Sequence, residues 1–185
     1  MTVPAVQLRR WTREEYEKMV AAGVFHPEDR LELIDGEVWE MAPQSSLHST
    51  AVRKVEEALR AVFAPDHDVR VQLPLAFDSD SEPEPDVAAV PGRIEDYRDA
   101  HPNTAALVVE VADSSLNYDR DSKTILYAAH GIPEYWILNL VDNRLEVYKE
   151  LEMDVYRSRR LLDKDDVVSP VFRPEATIAV SDLLP

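Results

Sequence analysis

Two almost continuous apolar runs, at residues 87–90 and 105–112, constrain the fold more than any other feature of this sequence. Apolar runs without alternation are typical of strands that are buried on both faces. The sequence also predicts helices at 46–63, where apolar residues recur at helical spacing, and at 119–130, before Gly131. We therefore expect an α/β domain with a mixed central β-sheet flanked by helices.

The N-terminal part of the chain predicts a helix followed by a β-hairpin. Thr12 and Glu15 have the spacing of a capping box, which predicts a helix that begins there and ends before Gly23. The Asp35-Gly36 pair lies between two short strand-like runs and favours a tight hairpin turn.

The remaining strands are less regular. Four further strands are predicted, at 69–77, 134–140, 144–149 and 177–180. The polar and proline-rich run 78–85 is predicted to be a loop. Residues 151–185 are harder to assign, but no repeat or composition change marks a domain boundary. We therefore expect residues 1–185 to form a single domain.

Composition excludes several classes of protein. The chain has 185 residues and no cysteine, so disulfides and thiolate metal sites are impossible. No apolar stretch approaches the roughly 20 residues that a membrane-spanning helix needs. The N-terminal stretch MTVPAVQLRRW lacks the apolar region of a signal peptide. The sequence therefore predicts a cytoplasmic protein without a membrane segment.

The charge of the chain restricts its partners. Asp and Glu outnumber Lys and Arg by 36 to 20, which gives a formal net charge of −16. Proteins that bind nucleic acid tightly use Lys and Arg to neutralise phosphates. The composition therefore argues against tight non-specific binding of DNA, although it is compatible with a metal-dependent active site.

Three charged residues suggest a chemistry. Asp86 follows Pro85 at the start of one apolar run, Glu110 lies within the other, and Lys123 lies near the start of the next predicted helix. Two carboxylates on adjacent strands can hold a divalent cation, and hard oxygen ligands suit Mg²⁺ or Mn²⁺. A nearby ammonium can orient or activate water, which suggests metal-assisted hydrolysis of a phosphodiester.

Five segments in a fixed order carry a resemblance to a known family. They are Leu31-Glu32-Leu33-Ile34-Asp35-Gly36-Glu37, Glu84-Pro85-Asp86-Val87, Val108-Val109-Glu110-Val111, Tyr118-Asp119-Arg120-Asp121-Ser122-Lys123 and Gly131-Ile132-Pro133-Glu134-Tyr135-Trp136. Together they resemble the Uma family of restriction-endonuclease-like proteins, within the PD-(D/E)XK nuclease superfamily. The resemblance runs from about residue 11 to residue 148, and residues 151–185 are expected to extend the same domain.

The resemblance implies a restriction-endonuclease-like core and a set of site residues. Asp86 and Glu110 would be the acids that bind Mg²⁺ or Mn²⁺, and Glu32 would complete the metal ligands. Ala112 occupies the position, two after Glu110, where the superfamily often has lysine. In the Uma pattern this lysine is displaced to the following helix, where it corresponds to Lys123. A long flexible ammonium can reach the same point from a neighbouring backbone.

Each of these residues also has a purely structural interpretation. Asp86 and Glu110 could be turn residues or halves of ion pairs, and Lys123 could be an exposed lysine on a helix whose Ile125 faces the core. Glu32 could face water from an alternating strand. Both interpretations stay open at the level of the sequence.

Four further residues are candidates for positions near the site. The family pattern tends to place a histidine at His48, which could support the site or be a surface residue. Gln72 could point toward the site from its strand or away from it. Asp119 and Asp121 near a predicted helix start are best explained as residues favoured by the helix dipole.

The resemblance implies a metal-dependent endonuclease that acts on nucleic acid, with DNA as the expected substrate. Lys123 would either activate water or stabilise the transition state. The alternative is a catalytically silent nuclease-fold protein that binds partners, which the net charge of −16 favours; a third option is another phosphate ester as substrate. Approach to DNA would need the metal ion, a homodimer or a basic partner protein.

Overall fold

The computed structural model describes residues 7–185. The first six residues, which begin the stretch used to judge a signal peptide, lie outside the described residues. The elements along the chain are α1 (Arg13–Ala21), β1 (Leu31–Ile34), β2 (Glu37–Glu40), α2 (Ser46–Phe63), β3 (His67–Val71), β4 (Val87–Pro91), a 3₁₀ turn (Ile94–Tyr97), β5 (Leu107–Ala112), α3 (Leu116–Tyr118), a π-helical turn (Asp119–Lys123), α4 (Thr124–Ala129), β6 (Tyr135–Asn139), β7 (Arg144–Glu152), β8 (Val155–Asp163), β9 (Val167–Val168), β10 (Ile178–Ala179) and α5 (Val180–Leu183).

A six-stranded mixed sheet forms the centre of the fold, in the order β3-β4-β5-β6-β7-β8. The β5–β6 pair is parallel and the other four pairs are antiparallel. The chain crosses from β5 to β6 through α3, the π-helical turn and α4, as a parallel connection requires. The expected mixed central sheet with flanking helices is confirmed, together with the N-terminal helix and hairpin.

The helix α2 covers one face of the sheet. It begins at Ser46 and ends at Phe63, as its apolar spacing predicts, and the Ser45 side chain caps it by accepting a hydrogen bond from the His48 N–H at 3.2 Å. Its residues Val55, Leu59 and Phe63 are fully buried. The C-terminal elements β9, β10 and α5 complete this layer, since Val168, Ile178, Val180 and Leu183 belong to the same apolar cluster.

The opposite face of the sheet is covered by the segment that joins β5 to β6 and by the end of the β1–β2 hairpin. Tyr127 and Ile132 are fully buried there, in one apolar cluster with Ile34, Val108 and Ile137. Both faces of β4 and β5 are thus covered, which explains why their sequences do not alternate.

Two predicted elements need correction. The predicted strand at 69–77 ends at Val71, because Gln72 adopts a left-handed backbone (φ 51°) and its N–H turns to the Pro85 and Asp86 carbonyls. The predicted helix at 119–130 begins earlier, at Leu116, and includes the π-helical turn.

The hairpin of β7 and β8 was not predicted as such. The two strands pair over nine residues each, and Met153 and Asp154 form the turn with positive φ angles of 46° and 63°. A turn of this kind normally contains Gly or Asn, so the sequence Met-Asp gives little sign of it. Among residues 7–185, no helix combines the length and apolarity needed to cross a membrane.

The loop at 78–85 is polar in sequence but largely enclosed in the structure. Ser81 is fully buried, and the Glu82 N–H donates to the Leu33 carbonyl at 2.7 Å, so the loop lies along the β1–β2 hairpin. The Glu82 side chain is also buried, and its nearest cation is Arg13, with the Arg13 Nε atom 3.7 Å from its Oε2 atom. Burial raises the pKa of Glu82 to about 7, Glu17 adds to this shift and Arg13 opposes it.

We expect Glu82→Gln to stabilise the protein at alkaline pH and not at acid pH. The pKa of Glu82 is higher in the folded chain than in the unfolded chain, so wild type loses stability as pH rises from about 4.5 to about 7 and stays lower above it. Glutamine cannot ionise and avoids this loss. Thermal unfolding should show a Tm higher than that of wild type by about 2–4 °C near pH 8, the shift that ~1 kcal/mol causes in a domain of this size.

The difference in Tm should disappear well below pH 4.5, where Glu82 is protonated in both states. Glu57→Gln, on an exposed part of α2, is the matched control and should leave the Tm unchanged at both pH values. A stabilisation by Glu82→Gln that does not depend on pH would contradict the assignment.

Candidate active site

Asp86 and Glu110 lie side by side where β4 begins beside β5. The register that pairs Val87 with Val109 brings the next two residues opposite one another. The Asp86 N–H donates to Glu110 Oε2 at 3.1 Å, and the Val111 N–H donates to Asp86 Oδ2 at 2.9 Å. The backbone therefore fixes both carboxylates, and both side chains are buried.

Lys123 lies against the same pair and is not an exposed lysine. Its Nζ atom donates to Glu32 Oε2 at 2.5 Å and to Glu110 Oε1 at 3.2 Å, and the residue is 1% exposed. Burial alone would lower the pKa of Lys123, but Glu110 and Glu32 outweigh it and raise the pKa above its ordinary value. The side chain is therefore an ammonium held between two carboxylates.

A π-helical turn gives Lys123 this position. The Asp119 carbonyl accepts hydrogen bonds from the Thr124 hydroxyl at 3.0 Å and from the Tyr135 hydroxyl at 3.2 Å. The turn leaves Ile125, predicted to face the core, 68% exposed and buries Tyr127 fully. Turns of this type are rare and occur frequently at functional sites.

His48 and Gln72 both contact Asp86. The His48 Nε2 atom lies 3.2 Å from Asp86 Oδ2, and the Gln72 side-chain amide donates to Asp86 Oδ1 at 3.0 Å. Both side chains therefore lie beside Asp86, which is one of the two positions that the sequence leaves open for each. The left-handed backbone of Gln72, which ends β3, sets the direction of its side chain.

The structure adds Tyr127 and Asp119 to the predicted set. The Tyr127 hydroxyl donates to Glu110 Oε1 at 2.6 Å, and the buried Asp119 carboxylate accepts from the Ser115 hydroxyl at 2.6 Å. Asp119 lies near the start of the helical segment, as the helix-dipole interpretation has it, and its side chain also lines the cavity. Its spacing of four residues from Lys123 was the available signal.

A cavity of about 100 Å³ opens onto the carboxylates. It lies between the loop after β2, the start of α2 and the loop after β5. Its lining consists of Arg30, Met41, Ala42, Pro43, Gln44, Ser45, His48, Asp86, Glu110, Val111, Asp113, Ser114, Ser115 and Asp119. Glu32 is not part of the lining, because its carboxylate is turned to Lys123.

The acids that line the cavity repel one another. Burial raises the pKa of Glu110 to about 7 and the pKa of Asp119 to about 6, and Asp86 adds to both shifts. Burial would also raise the pKa of Asp86, but hydrogen bonding to His48 leads the contacts that bring it below its ordinary value. A divalent cation relieves such repulsion, and hard carboxylate oxygens suit Mg²⁺ or Mn²⁺.

Within residues 7–185, no group of three His, Asp or Glu side chains is positioned to bind one metal ion together. One or two carboxylates supplemented by waters and substrate oxygens are a usual set of ligands for Mg²⁺. The pair Asp86 and Glu110 fits this description. The assignment of Glu32 as a third ligand stays a prediction.

The fold is similar to one solved structure, described as that of "a putative nuclease belonging to DUF820" from Anabaena variabilis ATCC 29413. The TM-score is 0.73 and the sequence identity is 19%, and the alignment covers 93% of this chain and 96% of the other. At this identity the similarity establishes the fold. No curated protein matches the sequence significantly.

A family model matches nearly the whole chain. The model of the Uma2 family, which carries the description "Putative restriction endonuclease", matches residues 13–181. The match includes all five segments that carry the resemblance, and it extends beyond residue 148 into β8, β9 and β10. The chain therefore belongs to the Uma2 family.

Proposed function

We propose that this protein is a metal-dependent nuclease that hydrolyses phosphodiester bonds of DNA with Mg²⁺ or Mn²⁺. The family description and the fold support a nuclease-like function. The substrate and the metal ion are proposed from the chemistry of the site. The expected reaction is attack of water on phosphorus, with release of one strand end as an alcohol and the other as a phosphate.

One observation carries the proposal. Asp86 and Glu110 face each other across two strands at the edge of a cavity, and the Lys123 ammonium lies 3.2 Å from the same Glu110. An isolated ion pair would need one carboxylate, whereas here two buried acids contact a single lysine and the buried Asp86 lies against one of them, Glu110. This surplus of negative charge is the arrangement expected of a site that binds a cation.

Asp86 and Glu110 would hold the metal ion. A bound Mg²⁺ or Mn²⁺ lowers the pKa of water and stabilises negative charge on a phosphate. His48 and Gln72 keep the Asp86 carboxylate in place through their contacts with its two oxygens. Tyr127 does the same for Glu110.

Lys123 acts as a hydrogen-bond donor and a positive charge. Its ammonium already donates to Glu32 and Glu110, so it is oriented by two contacts before substrate arrives. A fixed ammonium can orient the attacking water or stabilise the charge that develops on the phosphate. In this proposal Glu32 orients Lys123. Glu32 would bind the metal ion only if its hydrogen bond with Lys123 were broken.

The net charge of −16 favours a second candidate function. A chain with so few free cations could keep the nuclease fold as a binding module without catalysis. An active enzyme would need the metal ion, a homodimer or a basic partner protein to help it approach DNA. The two candidates differ in turnover: a binding module cleaves no nucleic acid at any concentration of metal ion.

The first test is a titration of Mn²⁺ and Mg²⁺ into wild type, followed by assays of supercoiled and single-stranded DNA, with RNA in parallel. Cleavage that depends on the metal ion supports the nuclease. Competition by a small phosphate ester at low concentration would instead indicate a different phosphate ester as substrate. Metal binding without cleavage of any nucleic acid would favour the binding module.

We expect Lys123→Met to abolish cleavage while Mn²⁺ still binds. Loss of a preorganised electrostatic donor lowers kcat by about 10²–10³-fold. Calorimetry should show that Mn²⁺ binding is kept, because the carboxylates of Asp86 and Glu110 remain. Full cleavage by this variant would rule out a catalytic role for the lysine.

Removal of Lys123 also leaves Glu32 buried and unpaired, which costs stability. The double variant Lys123→Met with Glu32→Gln removes both charges and should unfold at a higher temperature than the single variant, yet remain inactive. Lys18→Met, which removes an exposed lysine paired with Glu14, is the matched control and should keep wild-type activity.

We expect Asp86→Asn to lose both Mn²⁺ binding and cleavage. Asparagine has the shape of aspartate but supplies one neutral oxygen where the carboxylate supplies two charged ones. The affinity for Mn²⁺, measured by calorimetry, should fall at least about tenfold. This is the lower end of the loss that substitution of residues around a metal ion causes. Asp121→Asn, at an exposed acid two residues from Asp119, should change neither quantity.

A further inference from the structure

We infer that Arg30 binds a backbone phosphate of the nucleic acid next to the phosphodiester that is cleaved. This inference rests on the proposed nuclease function and assigns one residue to the recognition of its substrate. The observations that carry it are the position of Arg30, its lack of an acidic partner and the chemistry of the cavity around it.

The position of Arg30 follows from the strand that it precedes. Arg30 comes directly before β1 and two residues before Glu32, so the two side chains leave the backbone on the same face. Glu32 reaches Lys123 behind the carboxylates, and Arg30 lines the cavity itself. The hydrogen bond from the Met41 N–H to the Arg30 carbonyl, at 2.8 Å, extends the hairpin and fixes this residue.

Arg30 has no acidic partner within the described part of the chain. No Asp or Glu oxygen of residues 7–185 lies within 4.0 Å of its guanidinium. Its guanidinium makes one long hydrogen bond within residues 7–185, from Nη1 to the Ala42 carbonyl at 3.3 Å. Many other arginines are paired, as Arg13 is with Glu17 and Arg53 with Glu56. Arg70, Arg93 and Arg160 also have no acidic partner among residues 7–185, but they do not line the cavity.

The cavity otherwise offers an anion very little positive charge. Among the described residues that line it, Arg30 is the one Lys or Arg side chain, beside the four acids Asp86, Glu110, Asp113 and Asp119. The Gln44 side-chain Nε2 atom in the same lining is buried without a hydrogen-bond partner, so a second donor is available there. An anionic substrate that enters this cavity would therefore contact Arg30.

A phosphate is the anion that suits this residue. The planar guanidinium presents a fork of donors that matches two phosphate oxygens, whereas a lysine offers a single point charge. Lys123 is already engaged by Glu32 and Glu110, so it is not available to anchor a neighbouring phosphate. Arg30 would thereby fix the position of the bound nucleic-acid strand along the site, while the carboxylates of Asp86 and Glu110 hold the metal ion.

The test measures binding and cleavage separately. Wild type, Arg30→Gln and Arg30→Lys are compared with Arg53→Gln, which removes an exposed arginine of α2 as the matched control. The probe is a fluorescently labelled DNA oligonucleotide, single-stranded and duplex, titrated in EDTA at several NaCl concentrations. Cleavage of the same oligonucleotide is then followed in Mn²⁺, and Mn²⁺ binding without DNA is measured by calorimetry.

Arg30→Gln should weaken binding of the oligonucleotide and reduce the slope of log affinity against log salt by about 1, the change expected for one lost phosphate contact. In Mn²⁺ it should raise KM about tenfold, with a smaller change in kcat, because the contact holds ground state and transition state alike. Arg30→Lys should restore the salt slope and part of the affinity. Arg53→Gln should match wild type, and Mn²⁺ binding should be equal in all four proteins.

The outcomes separate this inference from the proposed function. If wild type cleaves DNA and Arg30→Gln keeps the wild-type salt slope and KM, the role of Arg30 is wrong and the nuclease stands. If wild type binds DNA with a slope that depends on Arg30 but never cleaves, the phosphate contact stands and the catalytic proposal is wrong. If wild type neither binds nor cleaves the oligonucleotide, both are overturned.

Discussion

The ammonium of Lys123 between the carboxylates of Glu32 and Glu110 is the interaction on which the rest of the structure depends. It joins the β1–β2 hairpin, the strand β5 and the π-helical turn. Loss of one partner from a buried ion pair costs about 3–5 kcal/mol, because the remaining charge stays buried. These residues of the candidate site therefore also contribute to the stability of the fold.

Much of the candidate site could be predicted from the sequence, because its central pair follows from strand register. Asp86 and Glu110 border apolar runs that must be buried strands, and antiparallel pairing brings them together. Lys123 came from the resemblance to the Uma pattern and not from periodicity. Tyr127 was missed because the π-helical turn rotates the helix, so that Tyr127 faces inward where regular spacing pointed to Ile125. An i→i+5 turn depends on partners such as the Tyr135 hydroxyl, which no local pattern contains.

The same distinction between local sequence and distant contacts explains which elements of the fold could be predicted and which could not. Capping at Thr12, the Asp35-Gly36 turn and the bounds of α2 are local properties, and they were predicted correctly. The end of β3 at Gln72 and the turn at Met153 and Asp154 both require left-handed backbone at residues that give no sign of it. Contacts between distant parts of the chain determine those conformations. The Gln72 N–H is held by the Pro85 and Asp86 carbonyls before β4, and the turn between β7 and β8 is held by the long antiparallel pairing of the two strands.

Net charge describes the surface of this chain but not its candidate site. Most of the arginines and lysines near acids are paired with them, so the excess of acids is met on the surface by water and counterions. The cavity differs from the surface, because Asp86, Glu110 and Asp119 are buried and Arg30 has no acidic partner among residues 7–185. A phosphate that approaches the cavity meets repulsion from the four acids of its lining and attraction from one arginine. A bound cation would reverse that balance. In the proposed enzyme, metal binding and substrate binding would therefore each strengthen the other. In this way an acidic protein could act on an anionic substrate.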